Sequence, residues 1–513
     1  MRRGPTTTLL VLLTLVVTVS AAAAQGATGG ATGTVRTPGG AGIDAVVVQL
    51  RDASCAPDEQ CPSTYETTTD SAGDWSVAGV AIGQYIVAAH DPAHRYVDTR
   101  LQDPIEVQPG ATTQDVDITM PRAGALAGTV SSAAGGPATD AEVAIERDGV
   151  EVARRMPGKA GDYRFEGLRA GTYVLIVAPE GERYHRVETT VEIGAGTVTT
   201  ADVVAMPEDP IVERDAGASR IETAVRVSQR AFADGAESVV IATASTFPDA
   251  LAAAPLAGDI DGPVLLVADR LDPLVTAELA RLSATRAVIV GGSEVVSVLV
   301  QSELELLGLE VERIAGEARD DTAALTARRV GLGPTDEIVV AYGWGFADAL
   351  SVAPLAARQG IPILLTATDV LSADSAAAIT ALGPGSTIVV GGRAVVADAV
   401  LHALPDPTRV AGLERYATSA AIAELSLARD GDLTTVYVAT GANFPDALTG
   451  GPAAARLRAP LLLVDGADPR ASAATWSFLD EHARSVARVV VLGGTDAVSS
   501  AVTAALRRIG EGP

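Results

Sequence analysis

One 27-residue frame occurs three times without a gap, and it constrains this chain more than any other feature. It reads "ATASTFPDALAAAPLAGDIDGPVLLVA" from Ala242, "AYGWGFADALSVAPLAARQGIPILLTA" from Ala341 and "ATGANFPDALTGGPAAARLRAPLLLVD" from Ala439. Each copy predicts a strand, a sharp Phe-x-Asp-Ala-Leu turn, a small-residue helix and a second strand. A further helix and a third strand follow, the latter ending in Gly291–Gly292, Gly391–Gly392 or Gly493–Gly494. Short apolar runs alternating with helices indicate a small parallel sheet covered on both faces. The turn aspartates Asp249, Asp348 and Asp446 recur at periods of 99 and 98, so each copy is domain-sized rather than a solenoid repeat. An active site needs one copy of a turn, whereas a surface gripping a repeating polymer can use several.

Ahead of these copies the chain alternates like strands between Gly and Pro turns, as in "AVVVQL" and "YVLIVA". This region is itself duplicated. Trp75, Val77, Gly83 and Tyr85 match Tyr163, Phe165, Gly171 and Tyr173, with each matched glycine expected to turn a hairpin. The two copies resemble carboxypeptidase-regulatory-like and Cna-B-type β-sandwich modules of bacterial surface proteins. That resemblance implies a spacer or stalk. A Lys–Asn isopeptide crosslink, present in some such modules, is not expected, because the one asparagine found, Asn443, lies elsewhere.

Each α/β unit opens with Arg-x-x-Gly-x-x-Arg: Arg214–Gly217–Arg220, Arg313–Gly316–Arg319 and Arg409–Gly412–Arg415. Thr223, Thr322 and Thr418 follow three positions later. With the aspartate turn, the Pro-x-Leu-Leu strands from Pro263, Pro362 and Pro460, and the Gly-Gly ends, this set resembles the cell wall-binding repeat 2 family. The resemblance implies noncovalent attachment to the bacterial wall, commonly through an anionic secondary polymer, and three units packed with pseudo-threefold symmetry. Two positions depart from the pattern. Tyrosine after the second arginine survives only as Tyr416, and the middle turn has Ala347 where the others have Pro248 and Pro445.

Arginine forks suit phosphate or carboxylate groups, and a helix N-terminus after the turn offers N–H donors. Arg214, Arg220, Arg313, Arg319, Arg409, Arg415, Asp249, Asp348 and Asp446 are therefore the polymer-binding candidates. The competing structural role is that each aspartate caps its helix or meets the dipole. In that case Arg220 would pair with Asp249, Arg319 with Asp348 and Arg415 with Asp446, preserving the fold. Phe247, Phe346 and Phe444 are expected as staples or core rather than sugar platforms. Pro255, Pro354 and Pro452 are expected to shape the helices.

A formal charge of −26 argues against nucleic acid as a partner. Arg2 and Arg3, an apolar run from Leu9 to Val19 and small residues to Ala24 predict a cleaved secretory signal over residues 1–24; the run is short for a bilayer span. No spanning segment is expected after cleavage. In an exported chain Cys55 and Cys61 are expected to form a disulfide, and the scattered histidines predict no metal site and no cofactor.

The expectation is thus a multidomain chain. Two all-β sandwich modules (25–120 and 121–206) precede three α/β repeats with small parallel sheets (211–308, 309–405 and 406–513) in a pseudo-threefold arrangement. Its expected role is a secreted, nonenzymatic surface protein bound to a wall polymer or to peptidoglycan, in the cell wall or at the cell surface. The alternatives are a wall hydrolase of amidase type, or an accessory subunit of one. A third possibility makes the β-modules an adhesin, for which no residue marks a partner.

Overall fold

The computed structural model describes residues 27–55, 61, 64–178, 183–247 and 249–510. The expected signal segment lies outside them, as does Pro248. Among the described residues no helix is long and apolar enough to cross a membrane.

The first half forms two β-sandwiches of the same plan. In the first module Thr28–Arg36 pairs antiparallel with Asp74–Ala81, while Gly83–His90 pairs with Val47–Asp52 in the facing sheet. In the second, Gly124–Ser132 pairs with Asp162–Leu168, and Gly171–Val177 pairs with Val143–Arg147 and Val187–Ile193. Trp75, Leu50 and Tyr85 fill one core; Tyr163, Phe165 and Tyr173 fill the other. The expected hairpin at Gly83 and Gly171 is not formed. The strands flanking each glycine lie in different sheets, so the turn carries the chain across the core instead. Both flanking strands bury an aromatic, and opposite sheets let the two rings share one interior. Each arch is tied by its tyrosine, whose hydroxyl donates four residues back: Tyr85 to Ala81 O and Tyr173 to Arg169 O, both at 3.0 Å. Cys55 and Cys61 are joined in a disulfide beside the first module's edge strand.

Each unit of the second half is a four-stranded, all-parallel sheet. Its central strands, such as Ser238–Thr243 and Val264–Val267, are buried throughout, which explains their uninterrupted apolar runs. The fourth strand of each sheet is contributed by the segment opening the next motif. Glu310–Ile314 completes the first sheet and Pro407–Val410 the second. The third sheet is completed by Ile211–Asp215, which lies beside Arg488–Leu492 at the far end of the chain. The three units are therefore interlocked in a ring, closed by hydrogen bonds between the half's first and last strands.

Helices around residues 249–259, Ala347–Gln359 and Pro445–Arg456 all pack on one another. Their contacts use small residues, at positions five and nine after each turn aspartate: Ala254, Ala353 and Gly451, then Gly258, Ala357 and Ala455. A Cβ at Gly451 would lie 2.8 Å from the Ala353 Cβ, and one at Gly258 would lie 2.2 Å from the Ala357 carbonyl oxygen. Pro354 and Pro452 lie inside these helices. One continuous apolar core runs through all three units.

Two outcomes follow from this packing. Gly258→Ala should lower stability by about 1–3 kcal/mol, as overpacking does, against the gain of about 1 kcal/mol that alanine brings inside a helix; thermal melts decide the sign. A fragment starting at residue 217 lacks the strand Ile211–Asp215 and should unfold well below one starting at residue 207. Equal melting temperatures would show that the ring closure contributes nothing.

Candidate functional site

Arg214, Arg313 and Arg409 stand on the three exchanged strands, and each donates to the first Gly carbonyl of the neighbouring Gly-Gly turn. Arg214 reaches Gly493 O at 2.5 Å and Val498 O at 2.8 Å; Arg313 reaches Gly291 O at 2.9 Å; Arg409 reaches Gly391 O at 2.7 Å. Their guanidinium groups lock a strand from one unit to a turn of another.

The second arginine, the threonine and the aspartate come together across the unit boundaries. Helices Arg220–Ala231, Arg319–Val330 and Arg415–Arg429 each pack on the axial helix of the preceding unit, with the first unit following the third. Asp249 therefore meets Thr322 and Arg319, Asp348 meets Thr418 and Arg415, and Asp446 meets Thr223 and Arg220. Pairing within a unit, as expected from the spacing, is corrected to pairing between units. The cause is the ring: an arginine helix covers the neighbour's turn more closely than its own. Arg220, Arg319 and Arg415 also donate to the backbone of their own turns, at Ala244 O (2.5 Å), Gly343 O (2.9 Å) and Gly441 O.

All three aspartates stand in the first turn of their helices, where the dipole favours them, and Asp348 and Asp446 are not the caps. The N-cap residues of the second and third axial helices are Phe346 and Phe444, and the carboxylates point into the interface. There each threonine hydroxyl bonds its aspartate and accepts from the motif glycine: Gly217 N at 3.1 Å, Gly316 N at 3.1 Å and Gly412 N at 3.0 Å. The first glycine of the second and third Gly-Gly pairs makes room for the carboxylate, whereas a Cβ at Gly291 would only touch Asp249, at 3.4 Å. At Gly493, with φ +94°, a Cβ would fall 2.3 Å from an Asp446 oxygen; at Gly391, with φ +107°, it would fall 2.7 Å from one of Asp348.

Phe247, Phe346 and Phe444 meet on the pseudo-threefold axis, with ring centroids 5.4–6.2 Å apart. Arg220 lies over Phe444 and Arg415 over Phe346, each at 5.7 Å and each across a boundary. Around this cluster open grooves between units. The one between the first and second units, about 480 Å³, is lined by Asp249, Glu294, Glu317, Arg319 and Thr322. The one between the second and third, about 520 Å³, is lined by Trp344, Asp348, Leu413, Glu414, Arg415 and Thr418. Carboxylates outnumber guanidinium groups in both. Trp344 is the groove residue that sequence reasoning missed; its signal was a tryptophan where the other copies carry Ser245 and Ala442.

Among the described residues, Glu424, Glu481 and His482 form the one cluster of metal-ligating side chains. It lies in the third unit away from the grooves, with both glutamates exposed.

Three interlocked α/β units, with the repeated motif gathered at their boundaries, define a single repeat assembly rather than three independent domains. The chain belongs to the family described as "Cell wall binding domain 2 (CWB2)", whose model matches residues 214–301, 313–401 and 409–503. A carboxypeptidase regulatory-like domain matches residues 125–206. The chain is 33% identical over 301 residues to N-acetylmuramoyl-L-alanine amidase LytC of Bacillus subtilis, covering 58% of each chain. It is 31% identical over 259 residues to the amidase enhancer of that organism, covering 50% of this chain and 35% of the relative. It thus spans about 58% and 35% of these curated relatives. Cwp6 from Clostridium difficile shares the fold at TM-score 0.52 and 20% identity, covering 76% of this chain and 68% of that one.

Burial pushes the carboxyls of Asp249, Asp348 and Asp446 up, by more than their threonine and arginine partners pull them down. Folding therefore favours the neutral form relative to the unfolded chain. Stability from each carboxyl is fully present below the unfolded value of about 3.9 and is lost as pH rises through the folded value. Asp348→Asn keeps an acceptor for Thr418 and fixes the neutral form. It should match or exceed the wild type in melting temperature at pH 7, with the advantage shrinking as pH falls towards 4. A variant weaker at pH 7 than at pH 4, relative to wild type, would show that the charged form stabilises.

Proposed function

We propose that the chain is a secreted, nonenzymatic surface protein held noncovalently to the cell wall through the grooves between its three C-terminal units, with the two β-modules as a stalk or adhesive part. The carrying observation is that the repeated motif converges at the unit boundaries, so one assembly offers several related grooves to one repeating polymer. Multivalent contact of this kind raises avidity without requiring a strong single site.

The anionic secondary polymer implied by the family resemblance meets an acidic protein here. Arg220 and Arg415 are exposed and can still offer guanidinium N–H groups to phosphate or carboxylate, while Arg319 is more covered. Attraction must then be local, because the whole-protein field repels anions. A second reading is favoured by the relatives named as an amidase and an amidase enhancer: the chain would be an accessory to a wall hydrolase. A peptidoglycan-hydrolysis assay with and without an added amidase separates the two readings.

Sedimentation with purified walls tests the attachment. The 207–513 fragment should bind as the full chain does, and binding should weaken little or rise with salt, since screening over about 8 Å removes the global repulsion. Arg220→Gln, Arg319→Gln and Arg415→Gln combined should weaken binding with the fold intact by circular dichroism. Binding by the β-modules alone, or collapse of binding as salt rises, would overturn this assignment. Walls stripped of secondary polymer by acid extraction distinguish that polymer from peptidoglycan.

A further inference from the structure

The two grooves differ in their large exposed side chains. Trp344 is 49% exposed and lines the groove between the second and third units. The other two tryptophans, Trp75 and Trp476, are 3% and 2% exposed. The Trp344 ring is held from its own unit: the Tyr342 centroid lies 5.9 Å away, and the Arg319 guanidinium lies 5.1 Å over the ring. Leu413 lines the same groove in full exposure, where the first and second units have Ala218 and Glu317.

A scattered exposed apolar residue is ordinary. Here two large ones line a single groove of about 520 Å³, within the range of about 300–1,000 Å³ typical of small-ligand sites. The polar groups beside them are the carboxyl of Asp348, bonded by Thr418, the carboxylate of Glu414, whose two oxygens accept from Tyr416 N and Ala417 N and keep further lone pairs, and the guanidinium of Arg415, one of whose nitrogens donates to Gly441 O. Two carboxyl groups against one guanidinium group make the lining net acidic, which disfavours a phosphate over hydroxyl groups that can donate to carboxyl oxygens. The electron-rich face of an indole attracts polarised C–H bonds, and one face of a pyranose ring presents such bonds while its rim presents hydroxyls.

We propose that the groove between the second and third units binds an uncharged pyranose ring of a wall glycan, stacked on Trp344 with its hydroxyls donating to Asp348 or Glu414. The groove between the first and second units, with Ser245 at this position, does not hold a sugar in this way. This inference rests on the wall-attachment reading and names the chemistry that one groove recognises.

Acrylamide quenching reads Trp344 almost alone, because the other two tryptophans are buried. The full chain is titrated with two neutral probes. One is oligosaccharide released from the secondary polymer by hydrofluoric acid dephosphorylation; the other is peptide-free glycan strands of peptidoglycan. One probe should protect Trp344 and shift its emission to the blue, and that probe identifies the source of the sugar. Trp344→Ser should bind it about tenfold more weakly, equal to about 1.4 kcal/mol, whereas Trp344→Phe should retain part of the affinity. Failure of both probes to protect Trp344 would overturn the inference. So would protection only by the intact phosphodiester polymer and its reversal by inorganic phosphate. Protection without sedimentation on walls would leave the sugar site standing and remove wall attachment. Sedimentation equal for wild type and Trp344→Ser, without protection, would do the reverse.

Discussion

The C-terminal half depends on how closely three helices can approach one axis. Ala254, Ala353 and Gly451 meet there, and Gly258 lies against the backbone of the neighbouring helix at Ala357. Close approach brings the helix starts together, so that Phe247, Phe346 and Phe444 form one aromatic cluster above the alanine contacts. Bulkier side chains would separate the helices and open the core that all three units share. Exchange of the fourth strand acts in the same direction, since no unit completes its own sheet.

The candidate site is a consequence of that closure. Aspartate, threonine and arginine from adjacent units meet only when the ring is assembled, and Gly391 and Gly493 leave space for the carboxylates of Asp348 and Asp446. Residues that line the grooves are thus also residues that join the units. A substitution among them can change stability and binding together, so a binding loss is informative only beside a melting curve.

Threefold repetition has not produced three identical surfaces. The middle unit has Trp344 beside Tyr342, with Arg319 drawn over the indole, while Arg220 and Arg415 remain exposed over phenylalanines of neighbouring units. Internal duplication supplied the scaffold, and single replacements gave the grooves different chemistry. With an acidic lining and a charge of −26, the proposed polymer binding requires local contacts rather than long-range attraction.

The sequence by itself determined the element types, the two β-modules, the three parallel sheets and the small-residue character of the axial helices. These depend on local periodicity and on repeats that can be aligned by eye, as in "SVVIAT" and "PVLLV". Only the tertiary structure decided who meets whom. Arg220 lies closer in sequence to Asp249 than to Asp446, yet it faces Asp446, because the ring places the third unit's turn beneath the first unit's helix. Gly83 and Gly171 looked like hairpin turns, and instead each passes the chain between sheets, since two consecutive strands with buried aromatics can fill one core from opposite sides. In a repeat protein, identical motifs leave the choice between partners within a unit and partners in the next unit undetermined; the packing of the units makes that choice.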